Sequence, residues 1–563
     1  MFWTALPLLL VALSISPSAQ AKDRKFKWET LDKPFRPHKT PPADRIVRVQ
    51  DQHYYDSHGR QRFFRGLNVV YKGAPYHPET HRFDPLTSFS WEDVQLLSDL
   101  NINVIRLGVE WAGVEKIRGQ YNQTYIDIIH HIVGMCEKKG IYVMLDFHQD
   151  LWSEKYCGEG APDWAAIHDP DSRFPKPLFN KPYTVNEKGH PSAEDCAKHD
   201  WYDYHASYAF ASAMQNFYDN KDGIRDSFAQ FWKEIARNFV KYDNVLGYNL
   251  INEPFAGNVW RRKKYFLPGY GDFENLEPLY QSVHEAIRQV DTKKIIFFEG
   301  ITWDNWKVGF KNVPGMDTYQ NRSALSYHHY FPLPNVLGLK STIKKRIRDA
   351  KRLNAGLFLT EFDVNVMTVM KRPAKPSKIL GYLEACDELL QSWIGWNYKP
   401  LVAITGPGET IINSKTGDIR SEWVMLFSRT YAHAVAGNVK TMNFNNATRE
   451  FSLVYTPDLE ISRAATEIRL MQREFYPEGF QVKILPLGIA HMYLVRDNEN
   501  AIMVKLLDGA TEKLGEDQTI EIRVQPLGML PEPKKKQSPI DESDPVGFYY
   551  IDSYEDFFAL DES

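Results

Sequence analysis

Short apolar segments alternate with amphipathic helical patterns along most of the chain, and this alternation restricts the fold more than any other feature. The eight segments are residues 63–71, 103–109, 141–147, 245–250, 295–299, 324–330, 357–362 and 392–398. Strands that alternate with helices are typical of a parallel sheet, and eight repeats favour a closed (β/α)8 TIM barrel over an open sheet. No Gly-x-Gly-x-x-Gly motif follows the first segment, which argues against a dinucleotide-binding domain.

The chain has 563 residues, more than one compact domain of ordinary size holds. We predict that the barrel occupies residues 44–405, with an insertion at about 151–225 that is rich in Trp, Tyr, His and Asp. The insertion follows a strand end, so it should project from the face that carries a barrel's site. Short strand-like runs separated by turn residues predict a smaller C-terminal β-sandwich at 406–530. Residues 531–563 form a charged linker and an acidic tail.

The N-terminus has the pattern of a secretory signal peptide over residues 1–21. An apolar run from residue 6 to 15 precedes Ala19-Gln20-Ala21, a small-residue cleavage pattern. The alternative is an uncleaved anchor, but the run is short for a membrane span. Residues 22–43 are basic and proline-rich, which predicts an extended arm. We therefore expect secretion to the exterior, or to an endolysosomal or vacuolar lumen.

Four cysteines and three glycosylation sequons agree with this destination. Cys157 and Cys196 lie in the same polar, loop-like region and are the predicted disulfide. Cys136 falls on an apolar helical face, which predicts a buried thiol. The sequons begin at Asn122, Asn321 and Asn446. The total of 68 Lys+Arg against 72 Asp+Glu gives a net charge of −4, so nucleic acid is not an expected partner.

Polar residues lie at or beyond the carboxyl ends of the predicted barrel strands. They are Arg106, Asp146, His148, Asp150, Asn252, Glu253, His328, Tyr330, Glu361, Asp363, Trp393, Trp396 and Lys399. The carboxyl ends of all strands in a barrel of this kind meet at one face. We therefore expect most of these side chains to form a single site.

Two of these residues, Glu253 and Glu361, are candidates for a pair of catalytic carboxyls. Hydrolysis of a glycosidic bond needs one protonated carboxyl as the acid and one ionised carboxyl on the other side of the bond. Repulsion between the two would help to separate their pKa values. Glu299 and Asp363 are rivals of Glu361. A gap of about 5–5.5 Å predicts retention of configuration and about 6.5–9.5 Å predicts inversion, and the sequence leaves this open.

Asp146, His148 and Asp150 are spaced by two along one strand, so their side chains share one face. Three such side chains could bind a metal ion. Direct contacts with sugar hydroxyls account for them equally well without an ion. We predict neither a metal nor a cofactor.

The strand-end residues taken together resemble those of glycoside hydrolase family 5 in clan A, and within it the endoglycoceramidases. The motifs that carry this resemblance are RGLNVVYKGAPY at the first strand, LDFHQDLWS at the third and NLINEPF at the fourth. The resemblance covers nearly the whole predicted barrel, and it includes the β-sandwich behind it.

The resemblance implies a role for each strand-end residue. Glu253 would be the acid/base and Glu361 the nucleophile, which Tyr330 would hydrogen-bond and Arg106 would keep ionised. The residues implied in binding sugar hydroxyls, the 2-hydroxyl or the sugar ring are Lys72, Asp146, His148, Asp150, Asn252, His328 and Trp396. The sixth strand reads Tyr-His-His-Tyr, so the histidine in this role depends on register, and the His-x-Tyr spacing favours His328 over His329.

By the same resemblance, the expected activity is retaining hydrolysis of the β-linkage between oligosaccharide and ceramide in glycosphingolipids. The alternatives with the same chemistry are a glucosylceramidase, a steryl glucosidase, and a β-glucanase or mannanase. A further alternative is a non-catalytic glycolipid-binding protein. Since the lipid of the expected substrate lies in a bilayer, we expect transient contact with a membrane surface. The aromatic residues of the insertion could line a lipid groove or pack the loop.

Overall fold

The structure is a computed structural model. It describes residues 43–303, 306–330, 338–364, 376–401, 411–413, 416–495, 498–514, 518–528 and 548–551. The predicted signal peptide, residues 1–21, lies outside the described residues, as does all but the last residue of the predicted arm.

Twenty strands occur in the described ranges. In chain order they are β1 (Ile46–Gln50), β2 (His53–Asp56), β3 (Gln61–Arg62), β4 (Arg65–Val69), β5 (Val104–Gly108), β6 (Tyr142–Asp146), β7 (Val245–Asn249), β8 (Ile295–Glu299), β9 (Ser323–His329), β10 (Gly356–Phe362), β11 (Trp393–Gly395), β12 (Tyr431–Val435), β13 (Gly437–Phe444), β14 (Phe451–Pro457), β15 (Thr466–Arg469), β16 (Phe480–Leu485), β17 (Ala490–Val495), β18 (Asn498–Leu506), β19 (Ile520–Pro526) and β20 (Phe548–Ile551).

Twelve α-helices accompany these strands in the same ranges. They are α1 (Trp91–Asp99), α2 (Trp111–Val114), α3 (Gln123–Glu137), α4 (Ala193–Cys196), α5 (Tyr208–Tyr218), α6 (Ile224–Phe239), α7 (Glu277–Arg288), α8 (Leu339–Leu353), α9 (Pro376–Glu388), α10 (Ser421–Phe427), α11 (Gln472–Phe475) and α12 (Ala510–Lys513). None of them combines the length and apolar composition that crossing a bilayer requires, within the residues described.

The strands β4 to β11 close into the predicted parallel barrel. Their residues are buried because the barrel interior covers one face and the surrounding helices cover the other. Strand β8 has the predicted bounds, and the other strands differ from the predicted segments by one to three residues at one or both ends. The largest difference is at β11, which ends at Gly395 rather than continuing to residue 398.

The interior of the barrel is apolar at the amino ends of its strands. Inward side chains such as Val104, Met144, Phe297 and Phe358 form one cluster there. The hairpin of β1 and β2 closes that end, and its Tyr54 packs its ring 5.6 Å from Phe358. Water is thereby excluded from the closed end, and the open end lies at the opposite face.

Further along the strands, the inward positions become polar. Alternation of side chains along a strand carries Val104 to Arg106, Met144 to Asp146 and Phe297 to Glu299. The same step leads from Ile394 to Trp396, and two such steps lead from Phe64 to Asn68 and from Ala324 to His328. The sequence therefore builds a polar layer directly above an apolar one.

Behind the barrel lie two antiparallel sheets, in agreement with the predicted C-terminal sandwich. The seven-stranded sheet has the order β1-β2-β3-β12-β15-β18-β17, and the five-stranded one β13-β14-β19-β16-β20. Two boundaries differ from the prediction. Strands β1 to β3, assigned to the barrel, pair with the C-terminal sheet through β3 and β12. Strand β20, in the predicted tail, pairs with β16.

The insertion after β6 packs onto the barrel and is closed by the predicted disulfide. Cys157 and Cys196 are bonded, with Cα atoms 5.5 Å apart. Cys136 is a buried free thiol, as the helical pattern predicts. Of the insertion's aromatic residues, Trp152 and Tyr204 are buried in the core, which favours packing for them, whereas Tyr202 is exposed.

The three predicted glycosylation sites lie at the surface. Asn122 and Asn321 are exposed, and Asn446 is half-buried. Asn122 also caps α3, since its side chain accepts a hydrogen bond from the Tyr125 N–H. Glycosylation at these residues stays a prediction.

The disulfide generates a test of stability. It joins residues 39 apart in sequence, so its loss should lower the free energy of unfolding by about 2–4 kcal/mol. Urea denaturation followed by tryptophan fluorescence would measure this in a Cys157→Ser, Cys196→Ser variant. A reducing agent should destabilise the natural chain to the same extent and leave the variant unchanged. Equal stability of the two proteins without reductant would contradict the expected contribution.

Candidate active site

Arg106 lies at the centre of the polar layer and is fully buried. Its Nη1 donates to Glu361 Oε1 at 2.6 Å and to Asn68 at 3.1 Å. Its Nη2 donates to Asp146 at 2.8 Å and to Asn252 at 2.9 Å, and its Nε donates to Asn249 at 2.8 Å. A guanidinium has five N–H donors, so each one has an acceptor here. These contacts join five barrel strands or their ends.

Glu361 reaches this layer because β10 departs from regular pairing. Phe358 points into the barrel, and strict alternation would turn Glu361 outward. The register between β9 and β10 shifts between Leu359 and Glu361, which brings the carboxyl inward. Tyr330 donates from its hydroxyl to Glu361 Oε2 at 2.7 Å. Burial raises the pKa of Glu361, while His328, Arg106 and the Tyr330 hydrogen bond act to lower it.

Glu253 lies past the end of β7 in a strained backbone conformation, with φ of 41°. Left-handed φ is uncommon for a residue with a side chain and occurs often at active sites. The Gln149 amide donates to the carbonyls of Asn252 and Glu253 at 2.7 and 3.2 Å, which holds this turn. Burial and then the charge of Asp150 raise the pKa of Glu253 to about 7.

The two carboxyls face each other beside one imidazole. His328 Nδ1 lies 2.9 Å from Glu253 Oε1 and 3.5 Å from Glu361 Oε2. One oxygen of each carboxyl and a His328 nitrogen lie within 4.8 Å of one another. Burial lowers the pKa of His328 to about 4, so the ring is neutral near pH 7. The site thus holds two unequal carboxyls at short range.

A second polar group forms the wall of the site next to Glu253. Lys72 is ion-paired with Asp150 and lies 3.4 Å from Glu159. His148 Nδ1 contacts Asp146 at 2.9 Å, and its ring stacks on Trp396 with centroids 5.2 Å apart. The ammonium of Lys72 lies 4.9 Å from the centre of the Trp396 ring. Cations, acceptors and an aromatic ring side by side suit the hydroxyls and faces of a sugar.

Two groups of residues in the described ranges have the donor types and spacing of a metal site: His148, Asp150 and Glu159, and Glu253, His328 and Glu361. In the first group the Lys72 ammonium already contacts both carboxylates, so their negative charge has a cationic partner. In the second group Arg106 pairs with Glu361. In both groups, therefore, a cation of the protein itself already balances carboxylate charge.

All eleven residues predicted for catalysis, nucleophile support or substrate binding lie in or around this layer. Two other strand-end residues, Lys399 and Trp393, place their side chains away from it. Lys399 is fully buried and pairs with Asp93 at 2.5 Å, behind the barrel wall. Trp393 packs into the core against Phe427, with ring centroids 6.1 Å apart. Asp363 follows β10 at a position where its backbone pairs with Trp396.

The rival Glu299 lies in the layer but on the far side of the imidazole. Its Oε2 is 3.4 Å from His328 Nε2, and burial raises its pKa well above the ordinary range. The two carboxyls of the catalytic pair, Glu253 and Glu361, lie instead near Nδ1 of the same ring. Glu299 is therefore suited to orient His328 rather than to reach a sugar.

Sequence reasoning missed four residues that hold the site together: Asn68, Asn249, Gln149 and Glu159. Asn68 and Asn249 are inward positions inside apolar strands, and a buried amide in such a strand is the signal that could have found them. Gln149 lies within the LDFHQDLWS motif between His148 and Asp150, and its contact with the turn at Glu253 leaves no pattern in the sequence. Glu159 is brought to Lys72 only by the folding of the insertion.

Family models match both units of the chain. Residues 79–401 match a model described as cellulase (glycosyl hydrolase family 5). Residues 429–524 match a model described as the glycoside hydrolase family 5 C-terminal domain. The first match covers the barrel from before α1 to beyond β11, and the second covers most of the two sheets.

Similar proteins agree with these matches. An endoglycoceramidase of Cyanea nozakii is 42% identical over 444 residues, which is 78% of this chain and 87% of that protein. An endoglycoceramidase of Hydra vulgaris is 43% identical over 437 residues, or 77% and 81%. The fold resembles that of endo-glycoceramidase II from Rhodococcus sp. in its ganglioside GM3 complex, with a TM-score of 0.65, 22% identity and coverage of 84% and 98%. The chain therefore belongs to glycosyl hydrolase family 5 and is a glycoside hydrolase.

Proposed function

We propose that this protein is a retaining endo-β-glycosidase that cleaves glycosphingolipids between the oligosaccharide and ceramide. The observation that carries the proposal is the approach of one Glu253 oxygen and one Glu361 oxygen to within 4.8 Å of each other. Retaining enzymes place their carboxyls about 5–5.5 Å apart, and inverting enzymes leave about 6.5–9.5 Å for a water molecule. The short distance supports retention.

In the first step Glu361 attacks the anomeric carbon while Glu253 donates its proton to the glycosidic oxygen. The bond between sugar and ceramide oxygen breaks, and ceramide leaves as an alcohol. The pKa of about 7 keeps much of Glu253 protonated at neutral pH. Arg106 and Tyr330 bind the two oxygens of Glu361 and favour its ionised form before attack.

In the second step Glu253, now a carboxylate, takes a proton from water. The oxygen of this deprotonated water attacks the anomeric carbon, the bond between the sugar and Glu361 breaks, and Glu361 is released as a carboxylate. Asn252 lies next to the acid/base and is fixed by Arg106, so its remaining amide hydrogen is available for the 2-hydroxyl of the sugar. Lys72, Asp146, His148, Asp150 and Trp396 surround the remaining sugar positions.

Support for the ceramide-linked substrate comes from the relatives. The two that exceed 40% identity over most of the chain are named endoglycoceramidases.

We also propose that the chain enters the secretory pathway. The signal-like N-terminus and the disulfide support this, since disulfides persist in oxidising compartments. A substrate embedded in a bilayer further implies transient contact with a membrane surface.

The products of a substrate panel test the proposal. Incubation with a ganglioside, lactosylceramide, glucosylceramide and cellohexaose, each in detergent where needed, should release ceramide and an intact oligosaccharide from the first two. Mass spectrometry identifies both products. Proton NMR of the earliest product should show the β-anomer, because retention preserves configuration. Activity on cellohexaose alone would reject the ceramide assignment, and an initial α-anomer would reject retention.

Substitution of the two carboxyls separates their roles. Glu253→Ala should reduce kcat/KM for lactosylceramide by roughly 10²–10⁴-fold, the usual contribution of a general acid. Azide should restore turnover of an activated aryl β-lactoside by this variant and give the β-lactosyl azide.

Glu361→Gln should lose activity on both substrates, because no covalent intermediate can form. Glu299→Gln is the matched control, and a larger loss in it than in Glu361→Gln would reverse the assignment.

The pH dependence follows from the raised pKa of Glu253. A carboxyl with a pKa of about 7 is protonated below that value, so kcat/KM for lactosylceramide should fall as pH rises through about 7. Asp150→Asn removes a charge that raises this pKa, so the alkaline limb should move to lower pH. An unchanged limb in this variant would show that another group controls it.

A further inference from the structure

One loop on the catalytic face exposes basic and aromatic residues together. Residues 261–273, called here the basic–aromatic loop, begin with four consecutive cations and continue Tyr-Phe-Leu-Pro-Gly-Tyr-Gly-Asp-Phe. Phe266 and Leu267 are 55% and 54% exposed, and Tyr270 and Phe273 are also exposed. Trp306, on the next loop, is 71% exposed. Clustered apolar side chains of this size on a surface usually mark an interaction site.

The position of the basic–aromatic loop relates it to the active site. It follows β7, as Glu253 does, and the loop that carries Trp306 follows β8. Both therefore leave the barrel at the carboxyl ends of its strands, where the carboxyl pair lies. Phe255, two residues after Glu253, packs its ring 4.4 Å from Trp303 of the second loop.

The two loops are held together by buried contacts. The carboxylate of Asp272 accepts hydrogen bonds from the Ile301 and Gly309 amides at 2.8 and 2.7 Å. The backbones of Gly269 and Gly309 approach so closely that a Cβ on Gly309 would lie 1.9 Å from the Gly269 carbonyl oxygen. Only glycine allows this approach. The exposed aromatic side chains thus project from a fixed base.

Cations of the basic–aromatic loop and of the loop after β8 lie beside aromatic rings. Lys263 Nζ is 4.9 Å from the Trp260 ring centre and, among the described residues, has no carboxylate within ion-pair distance. Lys311 Nζ lies 3.8 Å from the Phe273 ring centre. Arg261, Arg262 and Lys264 pair with Asp169, Asp219 and Glu274 at 2.7, 3.9 and 2.6 Å. Lys263 and Lys311 therefore supply the positive charge of this surface, in a chain whose net charge is −4.

We propose that the basic–aromatic loop docks the enzyme on an anionic membrane surface. Aromatic side chains prefer the interfacial region of a bilayer, and cations beside them meet anionic headgroups. The proposal deepens the proposed function and rests on it for the substrate, since docking brings the open end of the barrel to a lipid-borne glycan.

Sedimentation with vesicles tests the docking without any glycolipid. The full-length natural protein should bind vesicles of phosphatidylcholine with phosphatidylserine, bind phosphatidylcholine vesicles weakly, and be released by high salt. Each cation near an anionic surface is worth roughly fivefold in affinity, so K263Q/K264Q should bind about tenfold or more weakly. F266S/L267S should also lose binding.

Matched controls lie in the C-terminal part of the chain, on and between its strands and in α12. L487S/Y493S removes exposed apolar side chains, and K440Q/K513Q removes exposed cations, and both should bind as the natural protein does. Equal binding by the loop variants and the natural protein would overturn the proposal. A second outcome would also overturn it: light scattering shows that the natural protein is a dimer and F266S/L267S a monomer, and the natural protein does not bind vesicles.

Activity measurements separate docking from chemistry. The loop variants should keep their unfolding midpoint and their kcat/KM for a soluble aryl β-lactoside, and should lose turnover of lactosylceramide in anionic vesicles. Detergent micelles should restore that turnover. Vesicle binding that depends on the loop, combined with no ceramide release from any substrate form, would reject the proposed function and leave the docking surface standing.

Discussion

The buried guanidinium of Arg106 is the interaction on which the catalytic face depends. Its five N–H groups are all used, and their acceptors come from four strands, β4, β6, β7 and β10, and from the turn after β7. An unpaired buried cation would be costly, so the acceptors and the guanidinium require one another. This network fixes Glu361 and Asn252 at once, and Asn252 is the neighbour of Glu253 in sequence. Arg106 thereby positions Glu361 directly and Glu253 through Asn252, while Gln149 holds the turn that carries Glu253.

The unequal surroundings of the carboxyls follow from where each one lies in the barrel. Burial raises the pKa of Glu361, while the nearby His328, Arg106 and Tyr330 act in the opposite direction and favour its ionised form. Glu253 lies past the strand end, and burial and Asp150 favour its protonated form. The apolar layer beneath strengthens both effects, because charges interact more strongly where water is excluded. One side of the pair is therefore prepared to attack and the other to donate a proton.

The same face carries the surface that we assign to membrane docking. The loops after β7 and β8 build it, and Phe255 and Trp303 connect it to the turn that holds Glu253. Different functions therefore occupy different levels along the barrel axis. Apolar packing closes the amino ends of the strands, polar chemistry occupies their carboxyl ends, and the loops beyond meet the surroundings. Strands β1 to β3 add a further link, because they close the barrel and also belong to the C-terminal sheet.

The sequence by itself determined the barrel, the sandwich, the disulfide and most of the polar layer. It could do so because alternation along a strand is a local property, and a polar residue at an inward position is visible in the sequence. Only the tertiary structure decided the rest. The register shift before Glu361, the distance from it to Glu253, and the pairing of β3 with β12 depend on contacts between segments far apart in the chain. Such contacts leave no periodic pattern in either segment, so their geometry exists only once the barrel has closed.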